Sequence, residues 1–342
     1  MERNSGIQRF WGWLRPKNGI DIGRDNVHAQ VNVVGMNIIF AGSGEFGLPT
    51  LRALVAAGHR IVQIYTQPDR PAGRGKKLAH TPIGQYASDN GLPLVQTENI
   101  NAERLPEADA IVVIAFAQKI SPQVVDHPRL GSVNLHASLL PKYRGAGPIN
   151  WAIIRGETTT GNSVIRLVQR MDAGDVLGQS QLAIGELETA GELHDRLAEA
   201  GAGLMLDVLR KLADATAKQH EQDETLATAA PKLSRDSAHI DWNRPAAEVA
   251  CLIRGLYPWP GCRVRIVDEG GADRGHLTLV RARAAGSAGS APGVIDSSAL
   301  IAAGAGTGLE LVEVQPEGKR PMSLAAYCNG HPWGARMRLE SM

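Results

Sequence analysis

The sequence predicts an α/β protein: a parallel-rich sheet covered on both faces, followed by a small β-barrel domain. Two observations carry the first part. From Met36 onward, short and nearly unbroken apolar runs (NIIFA, RIVQIYT, AIVVIAF, SVNLH) alternate with amphipathic or turn-rich stretches over 46–57 and 82–90. Strands that are apolar on almost every residue are buried on both faces, as in sheets built from strand–helix–strand units. A third observation carries the barrel. Beyond Pro231 the segments GCRVRIV, HLTLVRA, GVID, ALIAAG and GLELVEVQ are short, glycine-punctuated and often alternating, with one helical candidate over 246–255.

Taken in order, residues 1–35 are irregular, lack the apolar stretch of a signal peptide and carry acids that transit peptides avoid, so they are set aside from the fold. Met36 stands directly before the first strand and is the expected translation start. The α/β domain spans 36–216 and closes with a helix over 189–213. Thr189 and Glu192 open that helix in capping-box spacing, and Leu193, Leu197, Leu204, Val208 and Leu212 stripe its core face. A polar stretch, 217–230, reads as an interdomain linker. The barrel domain takes 231–342, with GSAGSAPG near Gly286 as a loop.

Composition narrows the function. The 342 residues carry a net charge of +1, so any contact with phosphates must come from a local patch rather than from the global balance. Cys251, Cys262 and Cys328 are odd in number and form no CxxC pair, which argues against a disulfide framework or a thiolate metal cage. A reducing, cytoplasmic setting fits, and no metal is expected. No run approaches the ~18 apolar residues of a membrane span.

Gly42, Gly44 and Gly47 satisfy GxGxxG between a strand and a helix, a nominal dinucleotide fingerprint. The acid that should close the second strand is missing, however: Tyr65, Thr66 and Gln67 stand there, and Asp69 follows only after Pro68. A tight strand-to-helix turn explains these glycines better. The stronger constellation is SVNLHASLLPKYRGAGPINW. Asn134 and His136, two apart on one strand, share a face and can converge on one substrate atom. Ser138 is the hydroxyl nearest His136, but it has no neighbours that would make it a covalent nucleophile. In MDAGDVL, Asp172 and Asp175 ordinarily read as turn formers. The 67–80 segment holds Arg70, Arg74, Lys76 and Lys77 against Asp69; such a run ordinarily faces water, but it is also what phosphate binding needs. Residues 231–342 contain 13 Lys or Arg against 11 Asp or Glu, so an RNA contact there must be one face, with Arg254, Arg263, Arg265, Lys319 and Arg320 as candidates.

NLHASLLPKYRGAGP followed by MDAGDVL resembles the folate-dependent formyltransferases. TQPDRPAGRGKKL, AAPKLSRDSAHIDW and IRGLYPWPG narrow the resemblance to the tRNA-acting branch. It is dense from Met36 to about Gly261 and thins beyond. The resemblance implies a Rossmann-like formyltransferase domain and an OB-like tRNA-binding module. It implies 10-formyltetrahydrofolate as donor, initiator methionyl-tRNA as acceptor, and a catalytic trio of Asn134, His136 and Asp172. It also implies a folate site including Ser138, Leu139, Leu140 and Pro141 with Phe116 and Gln118, and tRNA contacts at Arg70, Arg74, Lys76, Lys77 and Arg254. Two departures stand out. Gly44 occupies a position where the family usually has proline, and AFAQKISP over 115–122 replaces a more usual tyrosine–glycine pair and aliphatic residue.

The expected chemistry is attack of a neutral amine on the formyl carbon. Asn134 and a protonated His136 would stabilise the developing oxyanion, and Asp172 would orient the imidazole and accept a proton. A monomer is expected. The alternatives are a formyltransferase for a small amine such as glycinamide ribotide or an amino sugar, a nicotinamide-dependent oxidoreductase, and a non-catalytic RNA-binding protein.

Overall fold

The computed structural model describes residues 35–72 and 77–342. The expected extension, apart from Gly35, therefore lies outside the described residues. The four apolar runs form Asn37–Gly42, Arg60–Thr66, Ala110–Ile114 and Ser132–His136. With the short strand Leu94–Gln96 they make the parallel part of a seven-stranded sheet. The other two strands, Thr159–Arg166 and Val176–Ala183, extend the Ser132–His136 edge in antiparallel fashion. That edge was not expected, because its buried positions include the polar Thr160, Asn162 and Ser163. Asn162 is tolerated there because its amide donates to the Leu197 carbonyl at 2.9 Å.

Apolar cores lie on both faces of the sheet. One packs Ile38, Phe40, Val112, Ile114, Val133 and Leu135 beneath the long helix Ala190–Ala213. The other gathers Ile39, Tyr65, Ile111, Val113 and Phe116. The capping box forms as expected: the Thr189 amide donates to Glu192 at 3.0 Å, and the Glu192 amide returns to the Thr189 hydroxyl at 3.4 Å. The glycines of the nominal fingerprint behave as turn residues. A Cβ at Gly42 would sit 2.7 Å from the Ile114 carbonyl oxygen, whereas one at Gly44 would only touch Ala115 at 3.5 Å. Gly44 has φ −80, within reach of the proline ring's fixed φ, so this position does not require glycine.

The C-terminal strands form an antiparallel sheet in the order Ile301–Ala302, Thr307–Pro316, Asp273–Ser287, Cys262–Val267, Arg338–Ser341, with Met322–Ser323 on Thr307–Pro316. The helix Ala246–Leu256 packs into its concave core with Val249, Ile253, Val264, Leu279 and Leu311. GVID forms isolated bridges rather than a strand, and the GSAGSAPG tract begins inside the long strand that ends at Ser287.

The two parts meet closely. A Cβ at Gly255 would stand 2.6 Å from Ile154 Cγ1, and the Asn150 amide donates to the Gly255 carbonyl at 2.7 Å. Arg281 reaches from the C-terminal sheet to Glu192, the capping-box residue, with contacts of 2.6 and 2.7 Å. No described helix is long and apolar enough to cross a membrane.

Candidate active site

Asn134 and His136 project from one face at the carboxyl end of the Ser132–His136 strand, next to the point where the sheet changes from parallel to antiparallel. The strand order reverses between Asn37–Gly42 and Ala110–Ile114, one strand away, and an open α/β sheet leaves its crevice beside such a reversal. His136 is 6% exposed, and its ring is locked: Nε2 lies 2.9 Å from the Tyr143 carbonyl oxygen. A carbonyl only accepts, so Nε2 carries a proton and the chemistry is left to Nδ1. Nδ1 faces Asp172 Oδ1 at 3.7 Å, too far for a direct hydrogen bond but close enough for a substrate group to bridge. Asn134 is half-buried, and among the described residues its amide meets no hydrogen-bond partner.

Asp172 sits between the Thr159–Arg166 and Val176–Ala183 strands with φ +52, a left-handed conformation that non-glycine residues rarely adopt. Its Oδ2 accepts the Gly145 amide at 2.9 Å, so the carboxylate is oriented by the loop that follows His136. The sequence offered no signal for the Tyr143 carbonyl or the Gly145 amide, because both are backbone groups. Tyr143 donates its hydroxyl to Glu157 at 2.8 Å. Burial, reinforced by that bond, pushes the phenol pKa upward. At Glu157, burial works to raise the pKa, but hydrogen bonds from Tyr143 and Lys142 outweigh it and hold the carboxyl below its usual range.

The Ser138–Pro141 loop is pinned by two residues that sequence reasoning missed. Ser163 Oγ donates to the Ser138 carbonyl at 2.7 Å and accepts the Leu140 amide at 3.0 Å. Gln179 then donates to both Ser163 Oγ and the Leu140 carbonyl. Ser138 is fully buried and spends its own hydroxyl on the Lys142 carbonyl at 2.6 Å, a geometry that offers no base to activate it. Leu139 and Pro141 are half-buried, and Leu140 is buried.

Two expected folate contacts turn inward. The Phe116 ring is 2% exposed within an apolar cluster. Gln118 uses both ends of its amide on backbone, accepting from Ile100 at 2.8 Å and donating to Thr97 at 2.7 Å. On either side of Phe116, Ala115 and Ala117 are exposed at φ 49 and φ 60, so this segment presents backbone rather than the Phe116 and Gln118 side chains.

The expected tRNA residues divide. Arg70 is exposed on the short strand Arg70–Ala72, which pairs with Lys77–Ala79. Arg74 and Lys76, and the side chain of Lys77, lie outside the described residues. Arg254 corrects the expectation of a solvent-facing cation: it is 9% exposed, donating to the Glu188 carbonyl at 3.1 Å and approaching Cys251 Sγ at 3.5 Å. It sits on the core side of the Ala246–Leu256 helix and ties that helix to the segment that opens the long helix. Arg263 and Arg265 are exposed and paired with Glu317 and Glu340.

At the carboxyl end of the parallel strands an imidazole, a carboxylate and an amide offer hydrogen-bond donors and a proton acceptor within one small region, a set suited to polar group-transfer chemistry. Comparison with known proteins gives the particular family. Residues 36–209 match the formyl transferase family and residues 232–332 the formyl transferase C-terminal domain. The methionyl-tRNA formyltransferase of Moorella thermoacetica is 42% identical over 308 residues, covering 87% of this chain and 97% of that protein. That of Methylococcus capsulatus is 40% identical, covering 86% and 97%. The chain belongs to the formyl transferase family and, within it, to the methionyl-tRNA formyltransferases. Among solved structures, an N-formyltransferase from Helicobacter canadensis, in complex with folinic acid and dTDP-3-aminofucose, shares the fold at TM-score 0.60 and 14% identity, over 82% of this chain and 99% of that one.

Proposed function

We infer that this chain transfers the formyl group of 10-formyltetrahydrofolate to the α-amino group of initiator methionyl-tRNA. In this reading residues 36–216 carry the chemistry, 217–230 connect, and 231–342 help to hold the tRNA. The observation that carries it is the locked imidazole: with Nε2–H spent on Tyr143, Nδ1 and Asp172 Oδ1 face each other across 3.7 Å beside the free amide of Asn134.

An α-amino group with pKa near about 8 is appreciably neutral at physiological pH, so activation is needed mainly at the carbonyl. As the amine nitrogen bonds to the formyl carbon, charge gathers on the formyl oxygen. The Asn134 amide and a protonated Nδ1 donate to it, and one such donor is worth about 3 kcal/mol in a transition state. Asp172 Oδ1 takes the proton the amine sheds, directly or through water. The bond from the formyl carbon to folate N10 then breaks as the oxyanion collapses, and N10 leaves with that proton, returned from Asp172 directly or through water. The products are N-formylmethionyl-tRNA and tetrahydrofolate.

The Ser138–Pro141 loop and the backbone of 115–118 are assigned to the folate, and Arg70, Arg74, Lys76 and Lys77 to acceptor-arm phosphates. The test is formyl transfer to charged initiator tRNA with glycinamide ribotide as comparison substrate. Turnover only with the tRNA is expected; preference for the ribotide would refute the assignment.

A further inference from the structure

The segment 217–230 is not a free linker. His220 exchanges two backbone hydrogen bonds with Val176, at 2.8 and 3.0 Å, just beyond the Asp172 turn. Ala229–Ala230 then pairs in parallel with Arg144–Gly145. Between these anchors lies Gln222, a polar residue only 6% exposed in a polar stretch. Its Nε2 donates to two carbonyls of the site turn, Asp172 at 2.9 Å and Gly174 at 2.7 Å. Its Oε1 accepts from Arg144 Nε at 3.0 Å and Nη2 at 2.7 Å. The orientation of the amide is unambiguous, since carbonyls only accept and a guanidinium only donates. Arg144 in turn grips Glu224, which also binds Arg170, two residues before Asp172.

We propose that Gln222 is a positioning residue for Asp172: it holds the left-handed turn that carries the carboxylate against the loop that carries Tyr143 and Gly145. The inference rests on the reading of Asp172 as the group that meets the substrate. The physical argument is one of supply and demand among hydrogen-bonding groups. The turn presents two carbonyls in one direction, the neighbouring guanidinium presents two N–H groups in the other, and a primary amide satisfies all four. A glutamate would keep the guanidinium but set an anionic oxygen against both carbonyls. A leucine would fill the volume and satisfy neither side. The turn holds Asp172 at φ +52, a conformation an L residue leaves when released, and so depends on such outside bonds.

The test uses the full chain with Gln222→Leu and Gln222→Glu, read in two ways. The first is steady-state formyl transfer: kcat falls by roughly 10- to 100-fold, as expected when a reacting group is misplaced by about 1 Å, while KM for donor and tRNA changes little. The second is hydrogen exchange at the Gly145 amide, whose acceptor is Asp172 Oδ2. Exchange accelerates in both variants while the amides of the Cys262–Val267 strand stay protected. Near-native kcat in Gln222→Glu, or an unchanged Gly145 amide in either variant, overturns the proposal. Native kcat in Asp172→Asn, with the Gly145 amide released in the two Gln222 variants, would instead overturn the reading of the site on which it rests.

Discussion

Gly145→Ala tests how the connecting segment shapes the site. Gly145 has φ +126, a backbone conformation essentially closed to residues with a side chain, and holding one there costs about 1–3 kcal/mol. A Cβ would also stand 2.5 Å from the Ala230 carbonyl oxygen, so one of the two paired segments must retreat by about 1 Å to restore ordinary contact. That retreat strains the bonds from the Arg144 amide to Thr228 at 2.8 Å and from the Gly147 amide to Ala230 at 3.2 Å. Each is worth about 0.5–1.5 kcal/mol, which brings the total to about 2–6 kcal/mol. For a chain of this size, at an unfolding entropy of about 2.1 cal/mol/K per residue, thermal unfolding should move down by roughly 3–9 °C. The Gly145 amide that orients Asp172 moves with the loop, so kcat should fall by up to ~100-fold. Gly203→Ala is the control: it lies inside the long helix with nothing within 4 Å of its Cβ position, and alanine there should be neutral or stabilising by up to about 1 kcal/mol. Scanning calorimetry and formyl-transfer rates on both variants decide the matter. An unchanged melting temperature with native turnover in Gly145→Ala would refute the reasoning.

Three further outcomes follow from the structure. The hydrogen bonds from Arg281 hold the Glu192 carboxyl down to about 2, against burial and with help from Thr189, so its contribution to stability is complete above about 4.5 and is lost as pH falls toward about 2. Because the side chain is 49% exposed, screening keeps that contribution within about 1 kcal/mol; urea midpoints of the native chain and Glu192→Gln should converge as pH drops from 7 to about 3, and parallel curves would contradict it. Arg254→Met should alter thermal stability but leave the salt dependence of tRNA binding unchanged, since the guanidinium is buried against Glu188 and Cys251; a slope shallower by about 1 would return it to the RNA surface. Changing Arg74 and Lys76 together to alanine should weaken tRNA binding, reduce that slope by up to about 2 and spare folate binding; an unaltered slope would make the loop an ordinary solvated surface.

The parts of the fold legible in the sequence were those with a dense local signal. The Asn37–Gly42, Ala110–Ile114 and Ser132–His136 strands are apolar runs, and the long helix announces itself through Thr189, Glu192 and its leucine stripe. The antiparallel edge escaped because Thr160, Asn162 and Ser163 break the apolar pattern, although the Asn162 amide nitrogen and the Ser163 hydroxyl donate to the Leu197 and Ser138 carbonyls. The connecting segment read as a linker for a related reason: its partners are loop carbonyls and a guanidinium, so it carries polar residues where a docked segment usually shows apolar ones. Asn134 and His136 could be placed together by alternation alone. Their nearness to Asp172 is a non-local fact set by the strand pairing of His136 with Ser163 and by the Gly145 amide, and only the family resemblance anticipated it. Arg254 looked like a surface cation because charge in a sequence says nothing about which side of a helix is packed.

The most direct test of the site is single-turnover formyl transfer to charged initiator tRNA by Asp172→Asn. Asparagine can still accept the Gly145 amide, so the fold and tRNA affinity should be retained. The rate should fall by about 100- to 10,000-fold, the usual reach of a positioned acid or base. A rate within a few-fold of the native chain would contradict the assignment of the carboxylate to the proton transfer.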